Sequence, residues 1–252
     1  MYKVLNKLKE INEGKAGLLV YSTQESIILE SMNKDLTVPL ASAAKVAIGY
    51  CITNWVEIGK FNWNSFIENI SFNPSEDSYQ LYPHLQGRNS LSLREAVEVM
   101  IACHDSYIAS SVVRHCGGWE LLNQSIQEKF PTIKVTENPR DGENLGQLDD
   151  LLQLMLYIFE HYKKNPNNWS PVINGLVRQK GEVEGIPAYH LNHMTGGLDN
   201  VVVDIGILGE FKLNPFIFAI GAIDLPDRAN NNLADLRIIE AMKLLYENQK
   251  HY

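Results

Sequence analysis

The sequence predicts an α+β protein built on one antiparallel sheet. Two runs with the composition of β-strands lie near the start of the chain, at 16–23 and 26–32. Three more lie near its end, at 189–194, 200–208 and 215–223. The stretch between the two groups carries helical repeats. Strands from both ends therefore pair most economically into a single sheet, with the helices inserted between them.

This arrangement predicts two domains. Residues 1–40 and 185–252 would form a sheet domain flanked by the terminal helices, and residues 41–184 would form an all-helical domain. Binding sites occur preferentially where two such units meet. We therefore expect an active site at the interface between them.

Helices are predicted where apolar residues recur every three or four positions and so share one face. In 2–13 that face carries Val4, Leu5, Leu8 and Ile11. The other predicted helices cover 41–56, 91–103, 106–116, 119–130, 147–163 and 233–248.

Local signals mark several boundaries. Gln24 and Glu25 separate the first two strands by the length of a tight hairpin turn. Ser92, with Glu95 three residues later, is typical of a capping box at a helix start. Asp105 is placed to cap the helix that follows.

The composition excludes several classes of protein. The 252 residues include 22 Lys and Arg against 30 Asp and Glu, which gives a formal net charge of −8. A negative chain without a basic cluster repels nucleic acid. The hydrophobic content of 45% is that of a globular protein, and no apolar stretch approaches the roughly 18 residues of a membrane span. We expect a small-molecule substrate and no nucleic-acid or membrane partner, while the oligomeric state stays undetermined.

The cysteines and the first residues bear on compartment and cofactors. The start of the chain is charged and amphipathic without an apolar signal core, which indicates either a cytoplasmic protein or one whose leader has been removed, and the initiating Met favours the cytoplasmic protein. Cys51, Cys103 and Cys116 lie in apolar segments at no metal-ligand spacing. They are interpreted as reduced packing residues. We predict no metal and no cofactor.

Ser42 and Lys45 are the first candidate catalytic residues. They are three residues apart in a predicted helix and so share a face one turn apart. A serine hydroxyl needs a base to become a nucleophile, and a lysine desolvated by the apolar residues 46–48 could serve as that base. The same spacing occurs at Ser31 and Lys34 in a polar turn, so spacing alone does not establish a nucleophile.

The surroundings of this pair add a family resemblance. The stretch from Leu36 to Lys45 follows a predicted hairpin and runs into an apolar helix. Here the chain resembles the serine β-lactamase and penicillin-binding protein superfamily, particularly the class A β-lactamases. The resemblance implies Ser42 as the nucleophile and Lys45 as its base. It also implies a β-lactamase-like fold, an antiparallel sheet with terminal helices and an inserted all-helical domain, over nearly the whole chain.

Two further motifs of the superfamily are present in altered form. His104-Asp105-Ser106 stands where Ser-Asp-Asn is expected and matches only at the aspartate. The resemblance implies that His104 shuttles a proton, because an imidazole is a general acid and base near neutral pH. A hydrogen-bonded loop histidine is the alternative interpretation.

The third motif, Met194-Thr195-Gly196, stands where Lys-Thr-Gly is expected, with methionine in place of lysine. The resemblance implies that the substrate contacts residues of both altered motifs. It also implies an oxyanion hole formed by the backbone N–H groups of Ser42 and Gly197. The substrate-binding residues expected in this way are Ser106, Met194, Thr195, Gly196 and Gly197.

The missing lysine changes the expected substrate. In the relatives that cation, together with a nearby arginine in many of them, binds the carboxylate of β-lactams and of peptidyl-D-alanine. The segment 193–211 contains no Lys or Arg, and Asp204 stands on the adjacent predicted strand. If Met194 faces the cleft, it favours an apolar or neutral group. The alternative is that Arg140 or Arg178 supplies the charge from elsewhere.

The segment before the last long helix of the helical block resembles a shortened omega loop. Residues 138–141, Asn-Pro-Arg-Asp, resemble the Asp-Pro-Arg-Asp that closes the omega loop in the superfamily. The glutamate that activates the deacylating water in the relatives has no convincing match. Glu137 and Glu143 are candidates by proximity only, with surface charge as the default interpretation.

The sequence therefore favours a β-lactamase-like serine hydrolase or acyltransferase that acts through an acyl-Ser42 intermediate on a small amide or ester. The altered motifs argue against efficient hydrolysis of ordinary penicillins. Two alternatives stay open: a catalytically idle binding protein with the same fold, and weak β-lactamase or penicillin-binding activity. The intact pair of Ser42 and Lys45 counts against the idle protein, because a buried lysine without a role is destabilising.

Overall fold

The structure is a computed structural model that describes residues 1–251. Its strands, in chain order, are β1 (Lys15–Ser22), β2 (Ile27–Met32), β3 (Thr37–Pro39), β4 (Phe66–Glu68), β5 (Ser90–Ser92), β6 (Leu145–Gln147), β7 (Leu191–Leu198), β8 (Val201–Leu208) and β9 (Phe216–Ile223). Its helices are α1 (Tyr2–Lys9), α2 (Ala44–Glu57), α3 (Ser78–Leu81), α4 (Leu93–Ala102), α5 (Ser106–His115), α6 (Trp119–Gln127), α7 (Leu148–Lys164), α8 (Pro166–Arg178) and α9 (Leu233–Gln249).

The central sheet joins both ends of the chain, as the sequence predicts. Its five strands lie in the order β2-β1-β9-β8-β7, and every neighbouring pair is antiparallel. The predicted hairpin is the β1–β2 pair, in which Leu18 lies opposite Met32. The strand β7 forms one edge of the sheet. The predicted α+β fold, with a helical block inserted into an antiparallel sheet, is confirmed.

Two hydrophobic cores lie on opposite faces of this sheet. Side chains of a strand alternate between its faces, and along β8 Val203 and Ile205 enter one core while Val202 and Leu208 enter the other. The larger core contains the buried faces of the inserted helices, with Trp169 fully buried in it. The smaller core is closed by the terminal helices α1 and α9. The terminal helices therefore flank the outer face of the sheet, as predicted.

Both predicted helix caps are present. The Ser92 Oγ accepts the N–H of Glu95 at 3.2 Å, and the Glu95 carboxylate accepts the N–H of Ser92 at 2.8 Å, which completes the capping box of α4. Asp105 Oδ1 accepts the N–H groups of Tyr107 and Ile108 at 2.9 and 3.0 Å at the start of α5. These caps set the direction of the loop between the two helices.

Helix α8 is absent from the sequence-based prediction, which has no helix between 163 and 189. Prolines usually interrupt helices, and this segment contains Pro166 and Pro171. Pro166 lies in the first turn of α8, where no N–H is needed for an intrahelical bond. Burial of Trp169 against the other helices stabilises the segment as a helix.

Strand β7 also differs from its prediction of 189–194. The residues Ala188–His190 form a 3₁₀ turn, so the strand begins later. It also continues past Met194, because its pairing with β8 extends from Leu191 opposite Leu208 to Leu198 opposite Val201. The Thr-Gly-Gly sequence that looks like a strand end is therefore part of the edge strand.

The sequence predicts an α-helix over 41–56, but the segment that carries Ser42, Ala41–Ala43, is a 3₁₀ turn. The α-helix α2 begins after it, at Ala44. The backbone of Ala41 is left-handed, with φ of +46°. Two hydrogen bonds to Asn144 fix the turn: Leu40 N donates to Asn144 O at 2.8 Å, and Asn144 Nδ2 donates to Ala41 O at 3.3 Å. A loop from the helical region thus holds this turn in place.

Gly196 of β7 brings the turn and the sheet into backbone contact. A Cβ atom at this position would lie 2.2 Å from Leu40 O and 3.2 Å from Ala43 N. Only glycine allows β7 and the turn to approach this closely. The nucleophile candidate is therefore held against the edge strand.

The division into domains at 40/41 and 184/185 stays a prediction.

This contact predicts that Gly196→Ala separates the turn from β7. Overpacking of this kind costs about 1–3 kcal/mol, so we expect urea unfolding to show a lower free energy of unfolding. Gly142→Ala is the matched control, because a Cβ there meets no atom within 4 Å, and its change should stay within about 0.5 kcal/mol. Equal stability of the two variants would contradict the close contact.

Candidate active site

Ser42 is half-buried in the turn that packs on β7. Its hydroxyl makes no hydrogen bond to another group among residues 1–251, so both its proton and its lone pairs are available. Lys45 follows three residues later in the first turn of α2. The structure therefore preserves the one-turn separation that the sequence predicts, although the turn is 3₁₀ at Ser42.

Lys45 is buried without a partner. It is 3% exposed, and its Nζ makes neither a hydrogen bond nor an ion pair within the described part of the chain. Burial lowers the pKa of Lys45 to about 8, against the opposing effect of the negative charges of Glu76 and Asp105. A lysine with this pKa is half neutral near pH 8, so it can accept a proton that an ordinary lysine would not.

Glu76 is a residue near this pair that the sequence analysis missed. It lies in the loop before α3, half-buried, and its carboxylate makes no hydrogen bond to residues 1–251. Burial raises the pKa of Glu76, while the positive charge of Lys45 lowers it. In the sequence, Glu76 is one acid in a polar segment, and no local pattern separates it from surface charge.

The loop that carries Glu76 is anchored on the altered Ser-Asp-Asn motif. Asn73 N donates to Asp105 Oδ2 at 3.0 Å, and Asn73 Nδ2 donates to Ser106 Oγ at 3.2 Å. Burial raises the pKa of Asp105 although three backbone N–H groups stabilise its charge. Ser106 is thus partly engaged within the protein, and its hydroxyl proton is still free to be donated.

His104 lies in the same loop with a left-handed backbone, φ of +56°. Its Nε2 is 3.0 Å from Gln179 Oε1. Because an amide oxygen accepts, Nε2 carries the hydrogen and Nδ1 of the neutral ring is an acceptor. Burial lowers the pKa of His104, opposed by the bond to Gln179, and the charge of Lys45 lowers it further. His104 is therefore neutral and electrostatically coupled to Lys45, and within residues 1–251 it makes no hydrogen bond to Ser42.

The residues Thr195, Gly196 and Gly197 lie on β7. Gly196 contacts the Ser42 turn, whereas Gly197 is exposed. The hydroxyl of Thr195 donates to Asp204 Oδ2 at 3.1 Å. The structure thus brings the three residues to the edge of the sheet beside the nucleophile candidate.

Met194 is not placed as expected. It has 0% exposure and packs in the larger core, between the sheet and the helices. Its neighbours His193 and Thr195 point to the opposite face because side chains alternate along a strand. The prediction that Met194 contacts the substrate is therefore not supported by the structure, since this side chain presents no surface to a ligand.

Of the two arginines suggested as substitute cations, Arg178 is paired, whereas Arg140 is exposed and makes only one long contact within residues 1–251. Arg178 donates to Glu98 at 2.7 Å, and the exposed Arg140 has its Nη1 4.0 Å from Asp199. A third arginine, Arg228, which the sequence analysis did not single out, approaches β7 at Gly197.

Arg228 is engaged by groups of the protein through all three of its side-chain nitrogens. Its Nη1 donates to the carbonyls of Leu198 and Val201 at 2.8 Å each, and its other nitrogens pair with Asp235. An open cavity of about 330 Å³ beside Gly197 is lined by two arginines and three carboxylates. Its charged lining residues are Arg140, Arg228, Asp199, Asp227 and Asp235.

The shortened omega loop places its two glutamates differently. Glu143 pairs with the exposed Lys134, and Glu137 accepts a hydrogen bond from Ser110 of α5. Neither is among the carboxylates whose charge acts on Lys45.

Three further observations concern metal ligands, membrane-spanning helices and the cysteines. Within residues 1–251, no group of three or more His, Cys, Asp or Glu side chains is arranged to hold a metal ion. In the same part of the chain, no helix has both the length and the apolar character to cross a bilayer. Cys51, Cys103 and Cys116 are free and buried, and burial raises the pKa of each thiol to about 12.

Comparison with solved structures supports the fold. PBP-A superimposes with a TM-score of 0.82 at 20% identity, covering 100% of this chain and 97% of that one. A beta-lactamase from Chitinophaga pinensis DSM 2588 gives 0.81 at 18% identity, with 98% of each chain covered. An ancestral class A beta-lactamase gives 0.79 at 16% identity, again with 98% of each chain covered.

The sequence comparisons give the family. No curated protein sequence matches this chain. The model of the beta-lactamase enzyme family, in contrast, matches residues 1–247. That match covers both the Ser42 turn and the altered motifs on α5 and β7. The chain belongs to the beta-lactamase enzyme family, within the serine β-lactamase superfamily that its motifs resemble.

Proposed function

We propose that this protein is a serine hydrolase or acyltransferase that forms an acyl-Ser42 intermediate with a small amide or ester. The observation that carries the proposal is the unpaired, desolvated ammonium of Lys45 one turn from an unbonded serine hydroxyl. Leaving a charged group buried and unpaired is destabilising by several kcal/mol. A general base needs such an environment, whereas a packing residue does not.

In the acylation step, one proton passes from Ser42 to Lys45 and then to the leaving group. Ser42 Oγ attacks the carbonyl carbon while its proton passes to the neutral Nζ of Lys45. The N–H groups of Ser42 and Gly197, as the family resemblance implies, stabilise the oxyanion. The bond to the leaving nitrogen or oxygen breaks, and the leaving atom takes up the proton from Lys45.

His104 supports the transfer to the leaving group. Its Nε2–H is held by Gln179 at 3.0 Å, which leaves Nδ1 as the acceptor of the neutral ring. A proton received at Nδ1 from Lys45 can be passed to the leaving atom. Water or an amine then attacks the acyl group, Ser42 recovers its proton, and the product is an acid or a new amide. Both Ser106 and Thr195 offer hydroxyl groups for binding the substrate.

The charges beside β7 support a substrate other than an ordinary penicillin. The lysine of the superfamily motif is replaced by the buried Met194, and the guanidinium of Arg228 is engaged by Asp235 and two carbonyls. Within residues 1–251, a substrate carboxylate would therefore meet no unpaired cation at Thr195, and beside Gly197 it would meet the exposed Arg140 in place of a lysine on the strand. We propose that β-lactams are poor substrates.

A covalent probe tests the nucleophile. We expect intact-protein mass spectrometry to detect one fluorophosphonate adduct, formed as Ser42 Oγ displaces fluoride. Ser42→Ala and Lys45→Ala should each abolish it. Ser31→Ala should retain it, because Ser31 has the same spacing to Lys34 but lies in an exposed strand.

Parallel incubations with a penicillin and a cephalosporin test the substrate class, and we expect no adduct from either. A β-lactam adduct would instead favour the weak β-lactamase or penicillin-binding activity. An adduct that persists in Ser42→Ala would contradict the proposed nucleophile. No adduct with any probe would favour the idle binding protein.

The pH dependence of labelling tests the base. Lys45 must be neutral, so the fluorophosphonate labelling rate should rise with pH around the Lys45 pKa of about 8. The charge of Glu76 raises that pKa, so Glu76→Gln should move the midpoint to lower pH. Glu137→Gln is the matched control and should leave the midpoint unchanged. A midpoint near the ordinary lysine pKa of about 10.4, or an upward shift in Glu76→Gln, would contradict this role.

A further inference from the structure

The hydroxyl of Thr195 is committed to an acceptor inside the protein. Its Oγ1 donates to Asp204 Oδ2 at 3.1 Å, and the two residues lie directly opposite each other on β7 and β8. A threonine hydroxyl has one hydrogen and two acceptor lone pairs. With its hydrogen directed at Asp204, Thr195 can only accept a hydrogen bond from a ligand.

A buried histidine holds Asp204 in this position. His193 Nδ1 lies 2.8 and 3.0 Å from the two carboxylate oxygens of Asp204, and its Nε2 lies 3.0 Å from the carbonyl of Gly181. Both ring nitrogens face acceptors, so both carry hydrogen and the ring is an imidazolium. Burial lowers the pKa of His193, but the charge and hydrogen bond of Asp204 together with the hydrogen bond to Gly181 raise it by more. The pair orients the Asp204 carboxylate so that it accepts the hydrogen bond of the Thr195 hydroxyl.

A cavity adjoins this chain of hydrogen bonds. It lies between β7, β8 and α9, has a volume of about 160 Å³, and includes Thr195 and Asp204 in its lining. Its opposite wall is apolar and consists of Ile238, Ile239 and Met242. A cavity of about 150 Å³ holds a benzene molecule. A small alkyl or aryl group with one polar end therefore fits.

The charges of the lining disfavour an anion. The carboxylates of Asp204, Asp235 and Glu182 line the cavity, and the one cationic residue of its lining is His193, which is already paired with Asp204. Asp235 is paired with Arg228 from outside the lining. A ligand carboxylate would find no donor at Thr195 and would face like charges.

We propose that this subsite, made of Thr195, Asp204 and the cavity beside them, binds a part of the substrate that donates a hydrogen bond. The class is an amine or amide N–H on a small apolar group, in place of the carboxylate that the superfamily binds near this strand. The proposal rests on the proposed function in treating the subsite as part of the substrate site. Gly196, the next residue of β7, contacts the Ser42 turn on the opposite face of this edge strand, so the subsite and the nucleophile candidate lie on either side of the strand edge.

Direct binding to the Ser42→Ala protein tests this subsite without requiring catalysis. The probes are n-butylammonium, butyramide and butyrate, matched in size and followed by ligand-observed NMR titration. Both N–H donors should bind about tenfold more tightly than butyrate, the effect of one hydrogen bond to a charge-polarised acceptor. Comparison of the ammonium with the amide shows whether the donor must be charged.

Two variants at one position complete the test. Thr195→Val keeps the shape and the Asp204–His193 pair but removes the hydroxyl, and it should weaken the binding of both N–H ligands, most clearly that of the uncharged butyramide. Thr195→Ser retains the hydroxyl and should keep the preference. The thermal midpoint of each variant verifies that it is folded.

Three results would overturn the proposal: tighter or equal binding of butyrate, unchanged donor binding in Thr195→Val, or no binding of any of the three probes. If the protein prefers N–H donors but forms no fluorophosphonate adduct, the subsite is supported and the acyl-Ser42 function is refuted. If it forms the adduct but shows no preference for N–H donors, the acyl-Ser42 function is supported and the subsite is refuted.

Discussion

The contact between Gly196 and the turn that carries Ser42 is the constraint on which the rest of the site depends. No side chain fits between the edge strand and the carbonyl of Leu40, so the two backbones touch. Asn144 holds the same turn from the other side. With the turn fixed at both flanks, α2 must start at Ala44 and carry Lys45 directly into the larger core.

The burial of Lys45 follows from that geometry. Helix α2 is buried over most of its length, so a lysine in its first turn cannot reach water. The negative charges of Glu76 and Asp105 partly offset the free-energy cost of burying the Lys45 ammonium, although neither carboxylate forms an ion pair with it. Asp105 is occupied by three backbone N–H groups, whereas Glu76 is not. The site therefore combines a lysine whose pKa is lowered by burial with a carboxylate, that of Glu76, which accepts no hydrogen bond within residues 1–251. Such a combination is suited to proton transfer.

The sequence is sufficient to predict the parts of this structure that depend on local patterns. The strand at 200–208, the amphipathic terminal helices, and the caps at Ser92 and Asp105 each follow from residues close together in the chain. The proximity of Glu76 to Lys45, the pair of His193 with Asp204, and the approach of Arg228 to Gly197 connect residues far apart, so no local pattern contains them. Met194 shows the same limit, because the face it occupies depends on the register of an edge strand.

The central claim is that Lys45 is neutral often enough to activate Ser42, and its pKa can be measured directly. Protein labelled with ¹³C in the lysine side chains can be titrated by NMR, with the Lys45 signal identified by its absence from Lys45→Met. The account predicts a pKa of about 8 for Lys45, with burial as the cause. A titration at the ordinary lysine pKa of about 10.4 would contradict it and leave Ser42 without a base.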